Sequence, residues 1–382
     1  MSETAAPVSL IENFSDCEDP RRDLGKEHLL IDIIVIAILA VICGANDFVG
    51  IAEFGVDKQA WLRTFLALPK GIPAHDTFGR VFAQIKPREF QRCFLNWVGS
   101  VANLTAGEIV AIDGKTSRRS HHRPLGKRAI ELVSAWARSN RLTLGQVKVA
   151  EGSNEITAVP ELLRLLAIKG CIVTVDALNT QKETVHEIRE QEADYVVALK
   201  GNHEKLHEAV AELCESVEQD RTANLPFDVH QTVEKDHGRI ETRRYVSIAA
   251  VDWLPGKNEW RDLQSIGMVV ATREINGVVT TAVRYYLSSL AVCARTLANA
   301  VRGHWSVENS CHWVLDVVFR EDDSRVRTGH AAGNLGLVRR LANSLLQQEK
   351  TAKVGIQNKR LKAARSTEYL LKVVNTQKTQ HL

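Results

Sequence analysis

Ile109-Val110-Ala111-Ile112-Asp113-Gly114-Lys115-Thr116 and Cys171-Ile172-Val173-Thr174-Val175-Asp176 contain two short, nearly uniform apolar runs, and each run stops at an aspartate. Runs of this length without a helical repeat read as strands, and the second suits a central strand covered on both faces. A strand end is a rigid place for a carboxylate, because the backbone stays in the ladder while the side chain emerges at the sheet edge. Two ionised carboxylates held close together repel, and a hard divalent cation with oxygen ligands, Mg2+ or Mn2+, relieves that repulsion.

The sequence between and beyond these runs alternates strand and helix, which is an α/β pattern. Ile130 to Arg138 and Leu142 to Val149 read as two further strands joined by a turn at Ser139-Asn140. A helix is expected from about Asn154 to Lys169, with Leu162, Leu165 and Leu166 as its apolar stripe and Gly170 at its end. The 63 residues from Asp113 to Asp176 thus accommodate three antiparallel strands, a helix and the next strand, so that the first and fourth strands lie side by side. A helix from Thr180 to Glu192, a strand from Tyr195 to Leu199 and a helix over 203–218 follow. Residues 228–289 then read as a β-rich insertion, with strands at Arg243–Ile248, Met268–Thr272 and Val278–Leu287, before helices resume at Leu297 to about Val318 and at Asn334 to Gln348.

Upstream, residues 20 to about 100 carry helical periodicity: Leu29, Ile33, Ile36 and Ala40 share one face, as do Phe90, Phe94 and Trp97. Between them, Gly71 to Val81 resembles the turn and second helix of a helix-turn-helix, with Pro73 breaking the chain, Asp76 capping, and Thr77 and Arg80 following. The purely structural alternative is a helical hairpin.

The chain has 382 residues, 45% hydrophobic and 25% charged, which excludes wholesale disorder, a collagen-like repeat and a disulfide-stapled mini-protein. Its most apolar run, Ile33 to Cys43, is too short for the roughly 20 residues of a bilayer-spanning helix. It reads as a buried helix. The seven cysteines are odd in number and scattered without a C-x-x-C spacing, and the Met1-Ser2-Glu3-Thr4 start lacks a secretory signal pattern; both favour a cytoplasmic protein with reduced thiols.

The net charge is only +3, but it is unevenly spread. From Lys350 onward eight Lys or Arg face one acid, Glu368. A second basic cluster, Lys115, Arg118, Arg119, Arg123, Lys127 and Arg128 with His121 and His122, contains no acid. Both suit a polyanion, because each neutralised phosphate releases condensed counterions.

A third acid stands in Arg302-Gly303-His304-Trp305-Ser306-Val307-Glu308-Asn309-Ser310-Cys311-His312-Trp313. On a helix, His304, Glu308 and His312 fall at i, i+4 and i+8, so one face presents an acid between two imidazoles. Glu321-Asp322-Asp323 with Arg325 is a further polar cluster. His203-Glu204-Lys205-Leu206-His207 matches the H-E-x-x-H zinc pattern, yet it carries a charged Lys205, starts immediately after Gly201-Asn202 and lacks a further H-x-x-G-x-x-H continuation. Its alternative reading is a helix start whose core stripe is Leu206, Val210, Leu213 and Val217.

Taken together, Ala111 to Thr116, Ser153 to Leu163, Val175-Asp176-Ala177, Lys200-Gly201-Asn202 and His304-Trp305-x-Val307-Glu308-Asn309 with His312-Trp313-x-Leu315-Asp316-Val317 resemble the insertion-sequence transposases with an RNase H-like DDE core, most closely the H-repeat-associated branch. The similarity covers roughly residues 20 to 348. It implies Asp113, Asp176 and Glu308 as a metal-binding catalytic triad. Mg2+ is the implied cofactor, with Mn2+ as a substitute. Glu308 comes 132 positions after Asp176, a gap accounted for by the β-rich stretch, which resembles an insertion in related transposases. Many relatives carry Tyr, Arg and Lys at −7, −4 and +7 from the glutamate, where this chain has Val301, His304 and Leu315; Arg302, His304 and His312 are candidate substitutes.

The resemblance implies an α/β protein: a helical N-terminal domain over 1–104 that binds DNA ends, an RNase H-like catalytic domain over 105–348 with its insertion, and a helical basic C-terminal tail over 349–382. The expected partners are double-stranded insertion-sequence ends and target DNA, no membrane, and further copies of the chain on DNA, in the cytoplasm and at the nucleoid. Candidate DNA contacts are Lys115, Arg118, Arg119, Arg123, Lys200, Arg302, His304 and His312. The alternatives are a DNA-binding remnant without activity and a zinc hydrolase using His203 and His207.

Overall fold

The computed structural model describes residues 6–23, 26–121, 128–219, 225–236 and 238–375. Nine strands are present among them: β1 (Ile109–Ser117), β2 (Ile130–Ala137), β3 (Leu142–Lys148), β4 (Ile172–Val175), β5 (Asp194–Leu199), β6 (Phe227–Asp236), β7 (Arg239–Ala249), β8 (Ser265–Ile275) and β9 (Val278–Ser288). They form one mixed sheet in the order β3-β2-β1-β4-β5-β9-β8-β7-β6. β4 is parallel to β1 on one side and to β5 on the other, and all four of its residues are buried, as its apolar run requires. The expected adjacency of the first and fourth strands holds.

One sequence expectation about the sheet needs correction. β1 does not stop at Asp113 but runs four residues further to Ser117, and its alternating Lys115 and Ser117 are buried against Asp316 and the Glu321 carbonyl, contacts far away in the chain. The stretch 228–289 is β-rich, as its sequence suggests. β6 to β9 form an antiparallel meander whose last strand pairs with β5, from Val196 opposite Ser288 to Leu199 opposite Tyr285.

The N-terminal helices are α1 (Val8–Phe14), α2 (Leu30–Ile42), α3 (Phe48–Asp57), α4 (Gln59–Leu62), α5 (His75–Gln84) and α6 (Pro87–Val101). α2 is buried at every position except Ile31, which is why its sequence is apolar all round. Its one acid, Asp32, accepts the Leu68 backbone N–H at 2.9 Å, and burial raises its carboxyl above the usual range. Ala74, not Asp76, precedes α5; Asp76 sits inside the first turn, where its charge suits the positive end of the helix. Among the described residues no helix is long and apolar enough to cross a membrane.

Four helices follow: α7 (Glu155–Leu163), α8 (Lys182–Glu190), α9 (Glu204–Glu218) and α10 (Ala294–Val307). α7 ends six residues earlier than the stripe suggests, so Leu162 and Leu166 are buried while Leu165 is 43% exposed. α10 packs on β4, β5, β6 and β7, and Ala294, Leu297, Ala298 and Val301 close a core with Ile172, Val196, Tyr245, Val269 and Tyr286.

A π-helical turn (Glu308–His312) continues α10 directly into α11 (Trp313–Val317), followed by α12 (Ala331–Gln348), α13 (Ile356–Arg365) and α14 (Thr367–Val374). The basic C-terminus is therefore not an untied tail. Arg360 is 2% exposed, lies over the Phe319 ring and donates to the Val41 and Val318 carbonyls; burial lowers its guanidinium to about 10. Lys359 is buried as well, and α14 buries Tyr369, Leu370, Val373 and Val374.

The contacts divide the chain into two compact units. The first comprises Met1–Asn103, Gly114–Glu151 and Glu308–Leu382, and the second Leu104–Asp113 and Gly152–Val307. In the first, α12 is buried along nearly its whole length against α2, α5, α6, β2 and β3. In the second, α10 covers the sheet as described. The division passes through β1 after Asp113 and through the continuous helical run before Glu308.

Candidate active site

β1 and β4 are in register with Ile112 opposite Val175, so the next residue of each chain segment is an aspartate. Neighbouring parallel strands in register point the same positions to the same face. Asp113 and Asp176 therefore stand abreast at the C-terminal end of the parallel strands. Lys200 is exposed and directly follows the end of β5, the other parallel neighbour of β4.

Asp176 is held by a polar knot that the sequence reading did not foresee. Its Oδ1 accepts from both the backbone N–H (3.0 Å) and the side-chain amide (2.9 Å) of Asn179. The same Asn179 amide donates to Glu155 Oε2 at 3.0 Å, so the acidic start of α7 is tied to the aspartate. Thr180 Oγ1 donates to the Asp176 carbonyl (2.9 Å) and lies 2.7 Å from the Ala198 carbonyl, and Asn202 Nδ2 donates to the Ala177 carbonyl at 2.8 Å. Asn179 and Thr180 are fully buried. The Ser153–Leu163 and Lys200–Asn202 stretches that carry the resemblance thus supply the braces of the loop after β4.

The third acid is placed by α10. Gly303 lets this helix approach β1 closely: a Cβ there would lie 2.7 Å from Ile109 Cγ2. One residue on, His304 Nδ1 is 3.0 Å from Thr174 Oγ1, two residues before Asp176. Glu308 follows one turn later, at the start of the π-helical turn. His312 is only 4% exposed, and its Nδ1 lies 3.1 Å from Glu308 Oε2, so this imidazole braces the glutamate from inside the protein. Its burial takes His312 out of reach of a DNA phosphate. A π turn is a frequent accompaniment of functional sites, because it re-aims side chains that a regular helix would present elsewhere.

Asp113 supplies a carboxylate from the second unit, and in the first unit Glu308 and His312 supply a carboxylate and an imidazole 3.1 Å apart. A donor set dominated by carboxylate oxygen, with no thiolate, fits a hard divalent ion such as Mg2+ or Mn2+.

The first basic cluster is largely neutralised. Lys115 is 8% exposed, with Nζ 2.6 Å from Asp316 Oδ1, 3.3 Å from Asp322 Oδ1 and 4.0 Å from Glu321 Oε2. Its charge is spent inside the protein. Arg118 pairs with Asp322 at 3.2 Å and Arg119 with Asp323 at 3.3 Å, yet both side chains stay more than half exposed. Arg123 and Lys127 lie outside the described residues. Arg302 forms an ion pair with Glu234 at 3.0 Å and is partly exposed. Burial raises the Asp316 carboxyl despite Lys115, whereas Glu321 ends below the usual range because Arg340, Arg339 and Lys115 together outweigh its burial.

The H-E-x-x-H histidines serve packing. His203 Nε2 is 2.8 Å from the Thr180 carbonyl with its ring edge-on to Trp260, and His207 lies edge-on to Tyr285. Different neighbours claim the two imidazoles, which removes the motivation for the zinc reading.

Two family models match the chain: DDE_Tnp_1-associated over residues 11–98 and Transposase DDE domain over residues 105–342. "Putative transposase YncI" of Escherichia coli O157:H7 is 38% identical over 370 residues, covering 96% of this chain and 94% of the relative. "H repeat-associated putative transposase YhhI" of Escherichia coli (strain K12) is 38% identical over 370 residues, covering 96% and 97%. A short relative, "Inactive transposase YbfQ" of the same strain, is 38% identical over 77 residues, 20% of this chain and 92% of its own length. With these matches, a mixed nine-stranded sheet and helices at both termini, the chain belongs to the family of transposases with a DDE domain.

Proposed function

We propose that this protein cuts DNA at the ends of an insertion sequence and joins those ends to target DNA, with Asp113, Asp176 and Glu308 as its metal-binding triad. The observation that supports this most is the parallel β1–β4 register, which sets two aspartates abreast next to the strand-anchored helix that leads to Glu308. A divalent cation, Mg2+ in the cell with Mn2+ as a substitute, supplies charge neutralisation and activation of the attacking oxygen for in-line displacement. The carboxylates hold it, Asn179 fixes the Asp176 rotamer, and His312 fixes Glu308. In the first step water attacks a phosphodiester and a 3′-hydroxyl leaves; in the second that 3′-hydroxyl attacks a target phosphodiester and displaces a target 3′-oxygen. No protein–DNA covalent bond is required, so the protein contributes orientation and electrostatics.

Lys200, Arg118 and Arg119 are the exposed cations that best fit phosphate contacts, with Arg302 available once Glu234 is displaced. The helical segment over 1–104 is assigned to recognition of the element's ends, and the working form to more than one copy on DNA in the cytoplasm. A divalent-metal-dependent nicking assay on DNA carrying the element's own ends tests this. Release of a 3′-hydroxyl supports the transposase reading; complex formation without nicking supports a binding remnant.

A further inference from the structure

We infer that Lys115 is a positioning residue for the acidic triad: its ammonium locks the strand that carries Asp113 to the helical run that carries Glu308. The inference rests on the triad reading proposed above. Lys115 stands two positions after Asp113 on β1, hence on the same face of the sheet, and Ser117 two positions further shares that face. Each of them reaches the segment that follows Glu308: Lys115 Nζ reaches Asp316 at 2.6 Å and Asp322 at 3.3 Å, and Ser117 Oγ donates to the Glu321 carbonyl at 3.3 Å. Asp316 lies on α11, which continues the π turn without a break.

The anchor is itself built in. Glu321 is 1% exposed and accepts from Arg340 Nη1 at 3.0 Å, while Arg340, fully buried on α12, donates through Nε to Ser134 Oγ on β2 at 2.9 Å. Gly336 brings α12 this close to β2, since a Cβ there would lie 2.9 Å from Leu132 Cδ1. One ammonium buried among three carboxylates is a costly arrangement for stability alone, because ion pairs of this kind are often no better than an apolar replacement. It does, however, fix geometry. A cation that satisfies Asp316 and Asp322 together admits one separation between the end of β1, two residues after Asp113, and α11, which follows the turn that carries Glu308. Hydrogen-bonding partners behind a metal ligand set commonly govern affinity in this way.

The test uses the full-length protein and Mn2+ alone, with binding followed by electron paramagnetic resonance of the free ion, alongside thermal unfolding. Asp316→Asn and Lys115→Gln should each weaken Mn2+ binding about 10- to 100-fold, and Lys115→Arg, which retains the charge, should recover part of the loss. Asp316 is about one-third exposed, so Asp316→Asn carries the test if Lys115→Gln does not fold. An Asp316→Asn protein that binds Mn2+ as tightly as the wild type overturns the inference, whatever its melting temperature. Asp113→Asn in parallel separates the two failures. If it loses Mn2+ while Asp316→Asn keeps it, only the positioning role falls; if it also keeps Mn2+, the triad reading falls and takes this inference with it.

Discussion

His304 Nδ1 lies 3.0 Å from Thr174 Oγ1, so the helix leading to Glu308 is hydrogen-bonded to the strand that ends one residue before Asp176. At the position where many relatives carry an arginine, this chain spends its side chain on aligning two elements. Thr174→Val keeps the shape and removes the bond. Stability should fall by about 1 kcal/mol, whereas cleavage should fall about tenfold or more, since small misplacements of reacting groups cost that much. Equal cleavage at saturating DNA and metal would show that the bond is incidental.

Asn179 connects Glu155 to Asp176 with no exposed surface of its own. Asn179→Ala leaves two carboxylates without their shared donor. Calorimetric or chemical unfolding should show a loss of about 1–3 kcal/mol, and Asn179→Asp, which adds a third negative charge, should be worse than alanine. A tolerated aspartate would remove Asn179 from the bracing role.

Gly303 and Ile109 form a close contact that a double-mutant cycle can read. Gly303→Ala alone overpacks the α10–β1 contact and should cost about 1–3 kcal/mol. Combined with Ile109→Ala, the penalty should be smaller than the sum of the two single changes, because that change removes both Cγ2 and Cδ1, the atoms the added methyl would meet. Simple additivity would mean that the helix moves aside instead.

These contacts also mark how far the sequence could be read. The strands, the aspartate that follows β4 and the helix that leads to Glu308 were legible because local periodicity and residue type determine them. The length of β1 was not, since the burial of Lys115 depends on Asp316 and Asp322, some 200 positions away. For the same reason a cluster of cations without a nearby acid looked free: Asp322 and Asp323, which neutralise Arg118 and Arg119, are remote in the chain and adjacent only in the fold. The C-terminus misled through composition. Its charge resembled a solvated tail, but Arg360 finds backbone carbonyls and an aromatic face that no local pattern announces.

Glu349 predicts a pH effect on the C-terminal helices. Its carboxylate accepts from the Thr351 and Ala352 backbone, the Thr351 hydroxyl and the Tyr369 hydroxyl, and these bonds prevail over burial to hold it at about 2, below its ordinary 4.5. A group depressed in the folded state stabilises fully above its unfolded value and loses that contribution as pH falls. Unfolding free energy should therefore decline as pH falls from near 4.5 towards 2, and Glu349→Gln should flatten that decline while being less stable at neutral pH. Parallel profiles for the two proteins would contradict this assignment.

Arg118 and Arg119 keep exposed guanidiniums despite their ion pairs, and such pairs are weak enough for phosphate to displace. Neutralising both should lower DNA affinity and flatten the slope of log affinity against log salt by up to about 0.9 for each lost contact. An unchanged slope would leave them as solvated surface.

The central claim concerns the three acids. Nicking of end-bearing DNA in Mg2+ or Mn2+ should be abolished in each of Asp113→Asn, Asp176→Asn and Glu308→Gln, with folding intact and most DNA affinity retained; wild-type nicking by any one of the three would remove that residue from the triad and contradict the account.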